Sequence, residues 1–103
     1  MKKKNEVVVC ADGFTMSVQA SEYTYCEPRD DYGPYAAVEI GFPSEKEPLI
    51  MPYCEDTEDP TGTVYGYVPT SVVSLVLAKH GGMISGELPL GVPQLKADYG
   101  IEV

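Results

Sequence analysis

The sequence predicts an α+β domain: a mostly antiparallel sheet of four to six strands with one helix, about residues 70–80, packed on its apolar face. Three observations carry that expectation. Short runs with apolar–polar alternation recur along the chain, and alternation marks strands with one face on a core and one on water. One stretch combines apolar residues at helical spacing with boundary signals at both ends. The rest is broken up by 9 prolines and 10 glycines among 103 residues, the pattern of loops between short elements. A chain of this length builds one domain.

The first run, Val7-Val8-Val9-Cys10, is β-branched and apolar, and Asp12-Gly13 follows it. Asp-Gly between extended runs is a hairpin signal, because both residues tolerate the positive φ of tight turns. The second run, residues 14–20, alternates without a miss, so Phe14, Met16, Val18 and Ala20 share one face. Residues 21–35 form a long loop holding Tyr23, Tyr25, Tyr32 and Tyr35 and broken by Pro28, Gly33 and Pro34. A third strand follows over residues 36–42, with Ala36, Val38, Ile40 and Phe42 on its apolar face, and Pro43 ends it. Residues 43–62 are loop-rich, with Leu49-Ile50-Met51 as a short edge strand or a plug into the core. In the fourth strand, residues 63–68, alternation sets Val64 and Val68 on one face and Tyr65 and Tyr67 on the other.

The helix begins at a boundary set by Pro69 and a capping Thr70. Its core stripe is Val72, Val73, Val76 and Leu77, widened by Leu75. Lys79 and His80 suit the negative end of its dipole, and Gly81-Gly82 stops it. Residues 83–88 continue the chain past Gly82, and residues 99–103 alternate well enough for a last edge strand.

Charge narrows the function. Sixteen Asp and Glu oppose seven Lys and Arg, a net −9. Three of those cations, Lys2, Lys3 and Lys4, lie in residues 1–5, read as a disordered basic tail ahead of a single domain over 6–103. Without those lysines, four cations face sixteen carboxylates, which leaves −12. Phosphate backbones and anionic membranes need basic surfaces, so neither nucleic acid nor a lipid surface is an expected partner. No apolar run reaches the ~20 residues of a spanning helix, and no apolar signal segment follows the N-terminal lysines. Cys10, Cys26 and Cys54 are odd in number, which fits reduced thiols in the cytoplasm.

Those cysteines and His80 compose a Cys3His zinc set on paper, but zinc ligands come in pairs two to four residues apart, and the chain has no such pair. A catalytic thiol needs a nearby base; Cys26 has Arg29 beside it in sequence, and His80 reads as a helix cap. No phosphate-binding glycine loop precedes the helix. The run Glu55-Asp56-Thr57-Glu58-Asp59 lacks the alternating ligands and central glycine of a calcium loop. No cofactor or metal is expected, and the chain reads as non-enzymatic.

The tyrosines point elsewhere. Eight Tyr stand against two Phe and no Trp. Tyrosine brings rigid area with a polar tip to interfaces, and neighbouring carboxylates steer a basic partner. The expected contact residues are Glu27, Asp30, Asp31, Tyr32 and Tyr35 in the first loop, and Glu55, Asp56, Glu58 and Asp59 in the second.

Several segments also carry a resemblance. They are Phe14-Thr15-Met16-Ser17-Val18-Gln19-Ala20-Ser21, Tyr25-Cys26-Glu27-Pro28-Arg29, Gly33-Pro34-Tyr35, Val38-Glu39-Ile40-Gly41-Phe42-Pro43-Ser44, Thr63-Val64-Tyr65-Gly66-Tyr67-Val68-Pro69 and His80-Gly81-Gly82. Over roughly residues 13–88 the chain resembles a family of small proteins encoded in tailed-phage and prophage genomes. The resemblance brings no catalytic residues. It implies a phage origin and action inside a bacterial host, where small acidic phage proteins are often anti-CRISPR or other counter-defence inhibitors. The −12 body and its tyrosine-flanked carboxylates add the expectation of a DNA mimic, its carboxylates standing in for phosphates and blocking a basic, nucleic-acid-binding target. Two alternatives stand beside it: a phage assembly protein forming homo-oligomers, and a small Cys/His metal-binding protein.

Overall fold

A computed structural model describes residues 3–98, so the strand expected over 99–103 lies outside the described residues. Five strands form one sheet in the order β4-β3-β2-β1-β5, every neighbouring pair antiparallel. They are β1 (Val8–Cys10), β2 (Thr15–Gln19), β3 (Ala37–Gly41), β4 (Val64–Pro69) and β5 (Met83–Ser85), with helix α1 (Thr70–Lys79) between β4 and β5. The expected α+β class is therefore the observed one.

The Asp12-Gly13 hairpin forms as its residues require. Val8 faces Met16 across the β1–β2 ladder, Gly13 takes φ 96°, and the Asp12 side chain accepts the Phe14 amide at 2.9 Å. Phe14, Met16, Val18 and Ala20 are all buried. Asn5 belongs to this body and not to a tail. Its amide donates to Gln19 Oε1 and its side-chain amide to the Val18 carbonyl, tying the segment ahead of β1 to the end of β2.

Helix α1 covers the sheet with Val73, Val76 and Leu77 buried and Val72 packed against the core. Leu75, expected to widen that stripe, is exposed. Thr70 does not cap with its side chain; Pro69 occupies the cap position, and the Thr70 amide donates to the Ala36 carbonyl. The C-terminus closes as a Schellman turn: Gly82 N–H reaches Leu77 O at 2.7 Å and Gly81 N–H reaches Ala78 O at 3.2 Å, with Gly81 at φ 88°.

Two corrections come from β3 and β4. Only Val38 and Ile40 carry the apolar face of β3, because Ala36 is exposed and Phe42 turns outward at φ 52°. Val38 pairs with Val68, but Ile40 pairs with Tyr65, so β4 holds one extra residue in that interval. This bulge shifts the alternation. Tyr65 and Val68 both enter the core, and only Tyr67, at φ 54°, stays on the open face. Of the two alternatives for Leu49-Ile50-Met51, the structure shows the plug: Ile50 is fully buried ahead of a 3-10 turn, Met51–Tyr53, that leans on β4.

Candidate functional site

The two acidic loops sit at opposite ends of the β3–β4 pair. Glu27 bridges Ala37, which pairs with Pro69 at the far end of β4. Glu55 donates its amide to Val64, the first residue of β4. Six strand residues separate the two ends by about 17 Å at ~3.3 Å per step.

The expected contact residues divide into three groups. Glu27, Tyr32, Glu55, Asp56, Glu58 and Asp59 are exposed, while Asp30 and Asp31 are half-buried. Tyr35 is not a contact residue: it is 3% exposed and lies in the core. Its hydroxyl donates to the Asp30 carbonyl at 2.8 Å, and its amide donates to Leu90 O. There Gly91, at φ 106°, passes so close to the Tyr35 backbone that no Cβ would fit. Several carboxylates first serve their own loops. Asp30 Oδ1 accepts the Tyr32 and Gly33 amides, Asp31 Oδ1 the Glu22 amide, and Asp56 Oδ1 the Glu58 amide. Asp31, hydrogen-bonded to Glu22, pushes the Glu22 carboxyl above its ordinary value. Asp30, Asp31 and Asp56 are therefore held in place by the backbone of their own loops.

Between the loops lies an arrangement the sequence reading did not assemble. Tyr25 lies over the open face of β3 and β4. Its amide donates to Glu39 Oε2 at 3.2 Å, and its carbonyl accepts the Tyr67 amide at 2.9 Å. The Tyr25 and Tyr67 rings stand 5.8 Å apart. Gly66 makes the approach feasible, because a Cβ there would lie 3.1 Å from the Tyr25 Cβ and 3.4 Å from Glu55 Oε2. The Arg29 guanidinium sits over the Tyr25 ring, 5.6 Å from its centroid. The Tyr25–Tyr67 pairing joins residues 42 positions apart, which no single-strand pattern displays.

His80 is the C-cap residue of α1, as its position predicts, and its ring has a further role. It is 4% exposed, stacked on Phe14 at 4.0 Å, and held at both nitrogens. Nδ1 meets Asp12 Oδ2 at 2.7 Å and Nε2 meets Glu47 Oε1 at 2.6 Å. Glu47 is 1% exposed, and its Oε2 accepts from Lys79 Nζ and from the Leu49 amide, each at 2.9 Å. The ring thus fastens the β1–β2 turn, the loop after β3 and the end of α1 to one point. Burial opposes the charged imidazole, but the bonds to Glu47 and Asp12 and the fields of both carboxylates outweigh it and hold its pKa above the ordinary value. Burial likewise opposes the Glu47 carboxylate, yet the Leu49 amide, Lys79 and His80 hold its pKa below the ordinary range. The Phe14 amide, then His80, lower that of Asp12.

These directions set a pH window. His80 is raised from 6.5, so its contribution is whole below that pH and is lost as pH climbs through the folded value. Glu47 is lowered from 4.5, so its contribution is whole above that pH and is lost as pH falls through the folded value. Thermal midpoints should therefore be highest between 4.5 and 6.5 and decline on both sides. In His80→Gln the decline above 6.5 should flatten; an unchanged alkaline limb in that variant would sink the assignment.

Among the described residues, no group of three or more His, Cys, Asp or Glu is placed to hold a metal ion. The Cys10 thiol is pushed up to about 11 by burial, then by Asp12, so at neutral pH it is protonated and a poor nucleophile. Cys26 is buried, with the Ser21 and Pro28 carbonyls 3.2 and 3.4 Å from its Sγ as alternative acceptors for its one thiol proton. Cys54 Sγ donates to the Asp56 carbonyl. No helix among the described residues is long and apolar enough to cross a membrane. Comparison of the chain with protein-family models, curated proteins and solved structures gave no match.

Proposed function

We propose that this protein is a non-enzymatic binding protein whose open sheet face, with an acidic loop at each end, docks on a basic surface of a partner. The partner class we favour is a nucleic-acid-binding or defence protein of a bacterial host, whose phosphate-binding channel the fixed carboxylates would occupy. The observation that carries this reading is the placement of exposed carboxylates in two hydrogen-bonded loops flanking an exposed tyrosine pair. Loops pre-set in this way lose less conformational entropy on docking than mobile ones would. The phage setting and the counter-defence role rest on the family resemblance of the sequence.

The test is charge reversal at Glu27, Glu55, Glu58 and Asp59, sparing Asp30, Asp31 and Asp56 because those three hold loop backbone. Wild-type protein should capture a partner from bacterial lysate at low salt and release it as salt rises. The reversed chain should bind at least about tenfold more weakly, since like charges across an interface cost several kcal/mol. Undiminished capture by the reversed chain would overturn the reading, and a stable multimer in place of a captured partner would favour an assembly role.

A further inference from the structure

We infer that Tyr25, Tyr67, Glu39 and Glu55 form a clamp for a guanidinium group, an arginine side chain of a protein partner, and that Arg29 is its built-in occupant. This deepens the docking proposed above and rests on it for the partner, though not for the chemistry of the clamp.

Guanidinium groups are planar, stack on aromatic rings and fork to carboxylates. The open face supplies both needs. Tyr25 and Tyr67 are 41% and 49% exposed, and their rings tilt at 38° with centroids 5.8 Å apart. Glu39 Oε2 accepts the Tyr25 amide, which sets this carboxylate beside the tyrosine and leaves its second oxygen with acceptor capacity. Glu55 Oε2 borders the same bare backbone at Gly66.

A second observation points to the ligand directly: the site already carries a guanidinium. Arg29 Cζ lies 5.6 Å from the Tyr25 centroid, inside the ~6 Å reach of a cation–π contact. Its Nε donates only to a backbone carbonyl, that of Glu22, at 3.2 Å. Arg29 is therefore stacked but not forked to a carboxylate. A guest arginine that stacks and also reaches Glu39 or Glu55 makes the contacts Arg29 lacks, and displaces it. Arg29 then acts as a placeholder that covers the ring until a better-matched cation arrives.

The probe is an acetylated, amidated tetra-arginine peptide, compared with its tetra-lysine counterpart by calorimetric titration at low salt. Diffuse attraction to an acidic surface treats the two alike; a stacking clamp prefers arginine by about three- to fivefold. Tyr67→Asn should erase that preference. It should also fold, because φ 54° at this position suits asparagine better than tyrosine; an unshifted or raised melting temperature confirms this. Arg29→Ala should strengthen tetra-arginine binding by more than Lys46→Ala, which makes the same change in net charge. Equal affinity for both peptides in the wild type, or a preference that survives Tyr67→Asn, would overturn the clamp. Salt-sensitive partner capture that persists alongside either of those results would leave the docking proposal standing. Arginine selectivity without any captured partner would do the reverse.

Discussion

Replacing His80 by Ala should lower stability by about 3–5 kcal/mol, the usual result of removing one member of a buried ion pair. The melting temperature should fall by about 20 °C, given ~4–8 °C per kcal/mol for a domain of this size. The change removes two short hydrogen bonds, of 2.7 and 2.6 Å, and the stack on Phe14. What remains matters more. Glu47 stays almost wholly buried with only Lys79 and the Leu49 amide to offset its charge. Glu47→Gln should cost less than half as much, because it neutralises the buried charge while keeping its volume. Urea denaturation of the two variants checks both the size and the order. A loss under about 1 kcal/mol for His80→Ala, the range of an exposed ion pair, would mean that the cluster is open to water in solution.

Tyr65→Ala should cost a similar amount, about 3–5 kcal/mol, because the largest fully buried side chain would leave a cavity behind it. The hydroxyl has its own share. It donates to the Pro60 carbonyl, tying the stretch that carries Glu58 and Asp59 to the core. Burial, then contact with Cys54, pushes its pKa far up, so it stays a donor across the accessible pH range. Tyr65→Phe should therefore cost only about 1 kcal/mol globally, with amide exchange accelerating over residues 55–62 and little change in β1 and β2. Uniform acceleration along the whole chain would refute a local anchoring role.

How far the sequence revealed these features depends on how local their causes are. The β1–β2 hairpin was legible because period-two alternation and Asp12-Gly13 occupy one short window. Helix α1 was legible from Pro69 at one end and Gly81-Gly82 at the other. The faces of β4 were misassigned because alternation assumes one residue per pairing step, and the bulge inserts an extra one. Tyr35 was placed at the surface because its loop is polar, whereas its burial comes from residues 90–91 crossing over it. The His80 cluster was illegible for a stronger reason. Its partners lie 68 and 33 positions away, and a lone histidine at a helix end has an adequate local explanation. Tyr25 and Tyr67 are likewise distant in sequence and meet only once the sheet is assembled.

The sheet order has a consequence for the chain as it leaves the ribosome. Of the five strands β1 is made before the others, yet one of its edges is filled by β5, with Val9 opposite Ser85. Strands β1 to β4 can pair in order of synthesis, each beside its predecessor. The outer edge of β1 must wait until α1 has crossed the sheet and residue 85 has emerged. Until then the nascent protein presents Val7, Val8 and Val9 on an unsatisfied edge, the kind of edge that recruits other chains. Vulnerability during synthesis is therefore concentrated at β1 and ends only when β5 arrives.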